Sequence, residues 1–127
     1  MALVLIVDDD QDMRDAVRFA LEDAGHETLE ASDGASALGI LRESQRRLVV
    51  LLDLLIPQLT GIDLLKEVIA DPLLKERHAY LLMTADSTTL RQEADPLLVE
   101  VAAQVVGKPF EMDKLLAMID LAAHSPV

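Results

Sequence analysis

The chain has 127 residues, 51% of them apolar, which is enough for one domain with a single substantial core. It has no cysteine, which excludes disulfides, thiolate metal sites and cysteine nucleophiles. Its net charge of −12 argues against direct nucleic-acid binding, because neutralising a phosphate backbone needs clustered Lys and Arg, and here the few basic residues are scattered. The longest apolar runs are too short to span a bilayer, and Met1 leads straight into a strand-like run with no basic n-region. The expectation is a soluble cytoplasmic protein with no membrane contact, signal peptide or anchor.

Read in chain order, short apolar runs alternate with stretches of helical period. The first run, Leu3 to Val7, is followed by QDMRDAVRFALEDAGH, where Met13, Ala16, Val17, Ala20, Leu21 and Ala24 keep the i, i+3, i+4 spacing of a core-facing helix and Gly25 lies just past its end. Glu27 to Ala31 reads as a second strand and Ala35 to Leu41 as a second helix. Leu48 to Leu52 is the third strand, followed by a helix from Gly61 to Ile69. A fourth strand covers Ala79 to Met83 and a fourth helix Thr88 to Ala94, where Pro96 interrupts the pattern and leaves the segment up to the next strand irregular or a second short helical piece. The fifth strand is read at Ala102 to Val106 and the fifth helix at Met112 to Ala123. Strands one, three and four are nearly continuous in apolar residues, as expected where helices cover both faces of a parallel sheet. Five β/α units in one short chain predict a doubly wound, flavodoxin-like α/β fold: a five-stranded parallel sheet in the order 2-1-3-4-5 with five helices.

In such folds function sits at the carboxyl ends of the strands. The first strand delivers Asp8 and Asp9, the third Asp53, the fourth Thr84, and the fifth Gly107 and Lys108 before Pro109 and Phe110. Strands one and three are neighbours in the expected order, so the three carboxylates crowd together and repel one another unless a cation compensates. A small set of hard oxygen donors with room for water suits Mg²⁺ better than a caged Ca²⁺. A carboxylate beside Mg²⁺ can attack phosphorus to give an acyl phosphate, with an ammonium and a hydroxyl to hold the phosphoryl oxygens.

Four short pieces in order, the Asp8-Asp9 pair, DLLIPQLTG from Asp53 to Gly61, MTA at Met83 to Ala85 and KPF at Lys108 to Phe110, resemble those of a response regulator receiver domain of the CheY-like type over essentially the whole length. The resemblance implies that Asp53 accepts a phosphoryl group from a histidine kinase or phosphotransfer protein. It implies that Asp9 binds Mg²⁺ directly with Asp8 assisting through water, and that the Leu55 backbone carbonyl and Asp53 complete the protein's share of the metal site. Thr84 is then the switch hydroxyl and Lys108 the cation that pairs with the phosphoryl group, aimed inward by a cis Lys108-Pro109 bond. Residues 1–127 read as a single receiver domain with no output domain, so output goes to a downstream protein target, and the only catalysis is of the domain's own phosphorylation and dephosphorylation.

Three features depart from this pattern or compete with it. Receivers usually carry an aromatic three residues before the Lys, and here the position is Val105, which is too small and too stiff at its first torsion to swing between buried and exposed sites. The expectation is phosphorylation with a different or weaker relay to the fourth helix and fifth strand; a change in the Val105 side-chain resonances as large as that of Thr84 would contradict it. The usual Gly-Ala pair before strand five is Val101-Ala102. The resemblance implies that Asp86, two positions after Thr84, lies at the pocket rim, where an acid could influence how fast water reaches the acyl phosphate; the other reading is an N-cap of the next helix. An EF-hand loop starting at Asp8 fails because Met13 and Phe19 stand where Gly and Glu are required. The remaining alternative is a receiver-like interaction module that works independently of phosphorylation. Asp10 reads as the N-cap of helix one, Tyr80 as core with a bonded hydroxyl, and His26, His78 and His124 as surface residues.

Overall fold

The computed structural model describes residues 2–53, 60–85, 96–97, 99–101, 103–108 and 111–124, and for 84, 85, 107, 108 and 124 the backbone alone. The elements run β1 (Leu3–Val7), α1 (Gln11–Asp23), β2 (Glu27–Ala31), α2 (Gly34–Glu43), β3 (Leu48–Asp53), α3 (Gly61–Ala70), α4 (Pro72–Arg77) and β4 (Ala79–Ala85). A short helical stretch at 96, 97 and 99–101 is α5 here, followed by β5 (Gln104–Lys108) and α6 (Met112–His124). All strand pairs are parallel and the order is β2-β1-β3-β4-β5, as expected from the sequence.

Alternation along the strands divides the core in two. Leu5, Val7, Val50, Leu52, Tyr80 and Leu82 pack with Ala37 and Leu41 of α2 and with Ile62, Leu65 and Val68 of α3. Val4, Ile6, Val49, Leu51, Leu81, Met83 and Val106 face the other way, onto Val17 and Leu21 of α1 and Leu115 and Ile119 of α6. Every residue of β3 is buried, because it is the central strand and has helices on both faces. The ends of α1 follow local chemistry. Asp10 caps the start, its carboxylate accepting from the N–H groups of Asp12 and Met13 at 3.0 and 3.4 Å. Gly25 adopts φ 91° in the turn beyond, which a residue with a Cβ resists.

The helix count differs from expectation: six helices are present among the described residues, not five. The addition is α4, hidden in ADPLLKERH, which is too short to show a period. Its signals are local. Asp71 caps it by accepting from the Leu73 N–H at 3.1 Å, Pro72 occupies the first turn, and Leu74 anchors it in the core. The expected helix from Thr88 to Ala94 lies outside the described residues. Pro96 is the first described residue of α5. The fifth strand lies two residues beyond its expected place, because Val101 belongs to α5 and pairing with β4 extends to Thr84↔Gly107 and Ala85↔Lys108.

Two of the three histidines are also not where they were expected. His26 and His78 are buried rather than at the surface. Nδ1 of His78 accepts from the Leu48 N–H at 3.0 Å, so Nε2 carries the hydrogen that faces the Leu41 carbonyl at 3.1 Å. Nδ1 of His26 likewise accepts from the Ala2 N–H at 3.0 Å, and its Nε2 faces Asp120 of α6 at 3.2 Å. Tyr80 is core, as expected, and its hydroxyl donates to the Leu74 carbonyl at 2.9 Å.

Candidate functional site

The site is assembled where β1 and β3 end side by side. The last residue pair of their ladder is Val7↔Leu52, so the next residue on each strand, Asp8 and Asp53, emerges at the same edge. Asp8 is 1% exposed and Asp53 7%, whereas Asp9 is exposed. One carboxylate oxygen from each of Asp8, Asp9 and Asp53 lies within 4.8 Å of the others. The arrangement is therefore two buried carboxylates with a third at the mouth.

The backbone around Asp8 is held from several directions. Its N–H donates to the Ala31 carbonyl of β2 at 3.2 Å, and its Oδ1 accepts from the Asp10 N–H at 3.0 Å. Its carbonyl accepts from Nη1 of Arg14 at 2.6 Å. Arg14 was given no role on sequence grounds; the only hint was its place in the first turns of α1, from which helical side chains lean back toward the N-terminus.

Of the other residues expected here, Thr84 follows Met83, the partner of Asp53 in the β3–β4 ladder, and Lys108 follows Gly107, the partner of Thr84. Their backbones thus reach the same sheet edge as Asp53, as expected, but at the ends of strands rather than just beyond them. Leu55, Asp86 and Pro109 lie outside the described residues. Val105 pairs with Leu82 and is half-buried against the core face shared with α2 and α3.

Hard, anionic oxygens at this spacing, two of them withdrawn from bulk water, could hold a divalent cation, a hard one by the chemistry of the donors. The model of the response regulator receiver domain matches residues 4–120. The chain belongs to that family.

Known receivers agree in both sequence and shape. The chain is 37% identical to chemotaxis protein CheY-3 of Vibrio cholerae, over 92% of this chain and 88% of that protein. It is 30% identical to the transcriptional regulatory protein YrkP of Bacillus subtilis over 91% of this chain; there it spans 47% of the relative's length. The crystallised chemotaxis protein CheY4 of Vibrio cholerae superposes with a TM-score of 0.81 at 31% identity, covering 96% of this chain and 98% of that one. This protein is a CheY-like receiver of two-component signalling, with the acidic cluster that a phosphoaccepting aspartate and a divalent-cation site require. The chemistry that goes with this family is the domain's own phosphorylation and dephosphorylation. Among the described residues no helix is long and apolar enough to cross a membrane.

Proposed function

We propose that residues 1–127 work as one receiver unit in which Asp53 takes a phosphoryl group from a phosphohistidine of a histidine kinase or phosphotransfer protein in the cytoplasm. The observation that carries this reading is the convergence of Asp8, Asp9 and Asp53, with Asp53 on the central strand and its carboxylate beside the other two. An oxygen of Asp53 forms the new O–P bond as the donor's N–P bond breaks. The electron pair leaves with the imidazole nitrogen, which is reprotonated from solvent.

Asp9, Asp8, Asp53 and the Leu55 carbonyl would hold Mg²⁺. When bound, the ion offsets the carboxylates' repulsion and the charge on the phosphoryl oxygens. Thr84 and Lys108 are proposed to close on the new dianion, the hydroxyl donating a hydrogen bond and the ammonium an ion pair. That differential contact shifts the domain between two conformations and so switches a surface that binds a downstream protein.

The test is incubation with Mg²⁺ and acetyl phosphate, reading intact mass. Wild-type protein should gain one phosphoryl group only when Mg²⁺ is present, and the Asp53→Asn variant should gain none. Equal labelling of the variant would refute the assignment. Absence of labelling with both acetyl phosphate and a phosphorylated kinase, despite Mg²⁺ binding, would favour an interaction module that works independently of phosphorylation.

A further inference from the structure

We propose that Arg14 is a positioning residue for the cation site, fixing the peptide that joins Asp8 to Asp9 and so setting where both carboxylates point; this rests on the reading of Asp8, Asp9 and Asp53 as cation ligands. Arg14 lies on α1, one turn after the Asp10 cap, with its N–H donating to the Asp10 carbonyl at 3.0 Å. Its guanidinium reaches back along the helix. Nη1 donates to the Asp8 carbonyl at 2.6 Å, while Nε donates to Oε1 of Glu30 at 3.2 Å. Only 14% of the side chain is exposed, so the contact is shielded from solvent competition.

The Asp8 carbonyl belongs to the same peptide plane as the Asp9 N–H. With the Asp8 N–H already tied to Ala31, holding that carbonyl leaves the plane little freedom to rotate, and rotation would swing the Asp9 side chain relative to those of Asp8 and Asp53. The fork geometry matters: one guanidinium spans two acceptors on different strands at once, which a lysine ammonium on a flexible stem does not reproduce. Glu30 completes the device. It draws Nε toward β2, and it also faces Nη1 of Arg18 at 3.6 Å, so the guanidinium of Arg14 is aimed at the carbonyl instead of folding over the carboxylates.

Positioning and charge make opposite predictions, which is what makes the role testable. Deleting a nearby positive charge would by itself tighten a cation. Losing the support of the ligands would weaken it, and outer-shell partners of metal ligands typically matter by about tenfold or more. The experiment is calorimetric titration of the 127-residue chain with Mg²⁺ alone, for wild type, Arg14→Lys, Arg14→Met and Arg18→Met, with each fold checked by circular dichroism in chelator. Expected are Mg²⁺ dissociation constants raised about tenfold in both Arg14 variants, with no rescue by lysine, and an unchanged constant in Arg18→Met. Arg14→Lys carries the test if Arg14→Met does not fold. Wild-type affinity in Arg14→Lys, or tighter binding in Arg14→Met, overturns the positioning role while leaving the site intact. No saturable Mg²⁺ binding by wild-type protein overturns the cation-site reading and this role with it.

Discussion

The two ends of the sheet bury polar groups for opposite ends. At the end where the strands begin, His78 and His26 are buried as hydrogen-bonding groups, accepting from the N–H of Leu48 at the start of β3 and of Ala2 just before β1, and reaching across to α2 or α6. At the end where the strands finish, Asp8 and Asp53 are buried as carboxylates beside a third. The first pole satisfies backbone groups and locks strand starts together. The second gathers three carboxylates at one edge, two of them buried. One pole therefore secures strand starts, and the other presents a group of acids that could hold a divalent cation.

The largest effect expected is at the latch. His78→Leu leaves the buried Leu48 N–H and Leu41 carbonyl without their partner, and urea unfolding should show a loss of about 3 kcal/mol, each orphaned group costing about 1–3. A loss no larger than that of an exposed substitution would show that the latch is ornamental. At the acidic pole the sign reverses on adding metal. Mg²⁺ at about a hundred times its dissociation constant should raise the unfolding free energy by about 2.7 kcal/mol, and Asp53→Asn should remove most of that gain. Equal gains in both proteins would place the cation elsewhere.

Titration sharpens the contrast further. Burial, with the charges of Arg77 and Arg47 adding to it and the Leu41 carbonyl opposing it, holds the His78 pKa below its usual 6.5. The unfolded chain then binds a proton that the native state refuses. His78's contribution is whole above 6.5 and is lost as pH falls from there through the lowered native value. In that window the wild-type unfolding free energy should fall by up to about 1.4 kcal/mol per pH unit relative to His78→Gln, measured by urea midpoints. Parallel curves for the two proteins would exclude this titration. The smallest effect is at Tyr80, whose phenol burial keeps protonated; Tyr80→Phe removes the bond to the Leu74 carbonyl and should cost about 1 kcal/mol by thermal unfolding, loosening α4. An unchanged melting temperature would mean that water replaces the bond.

How much of this was legible in the chain follows the same division. β1 and β2 were both read to the residue, β1 because its apolar run ends abruptly at Asp8 and β2 because it starts soon after the Gly25 turn, and the strand order followed from five β/α repeats. The acidic cluster was legible too, because strand ends in this fold are brought together by topology alone. Hidden from the sequence were features that depend on partners far along the chain: the His26 bond spans 24 residues and the His78 bonds 30 and 37. Arg14 was missed for a related reason, since its partner is a backbone carbonyl, which any residue type supplies. β5 begins two residues later than read, at Gln104 instead of Ala102, and α4 was too short for periodicity to reveal.

The account rests most heavily on Asp53 as the residue that receives phosphorus. The direct measurement is to treat the wild-type chain with acetyl phosphate and Mg²⁺, reduce the acyl phosphate with borohydride, which converts a phosphorylated aspartate to homoserine, and sequence the digest by mass spectrometry. The account predicts homoserine at position 53 and nowhere else. Homoserine at position 8 or 9, or unmodified aspartate throughout a protein shown to have gained a phosphoryl group, would contradict it.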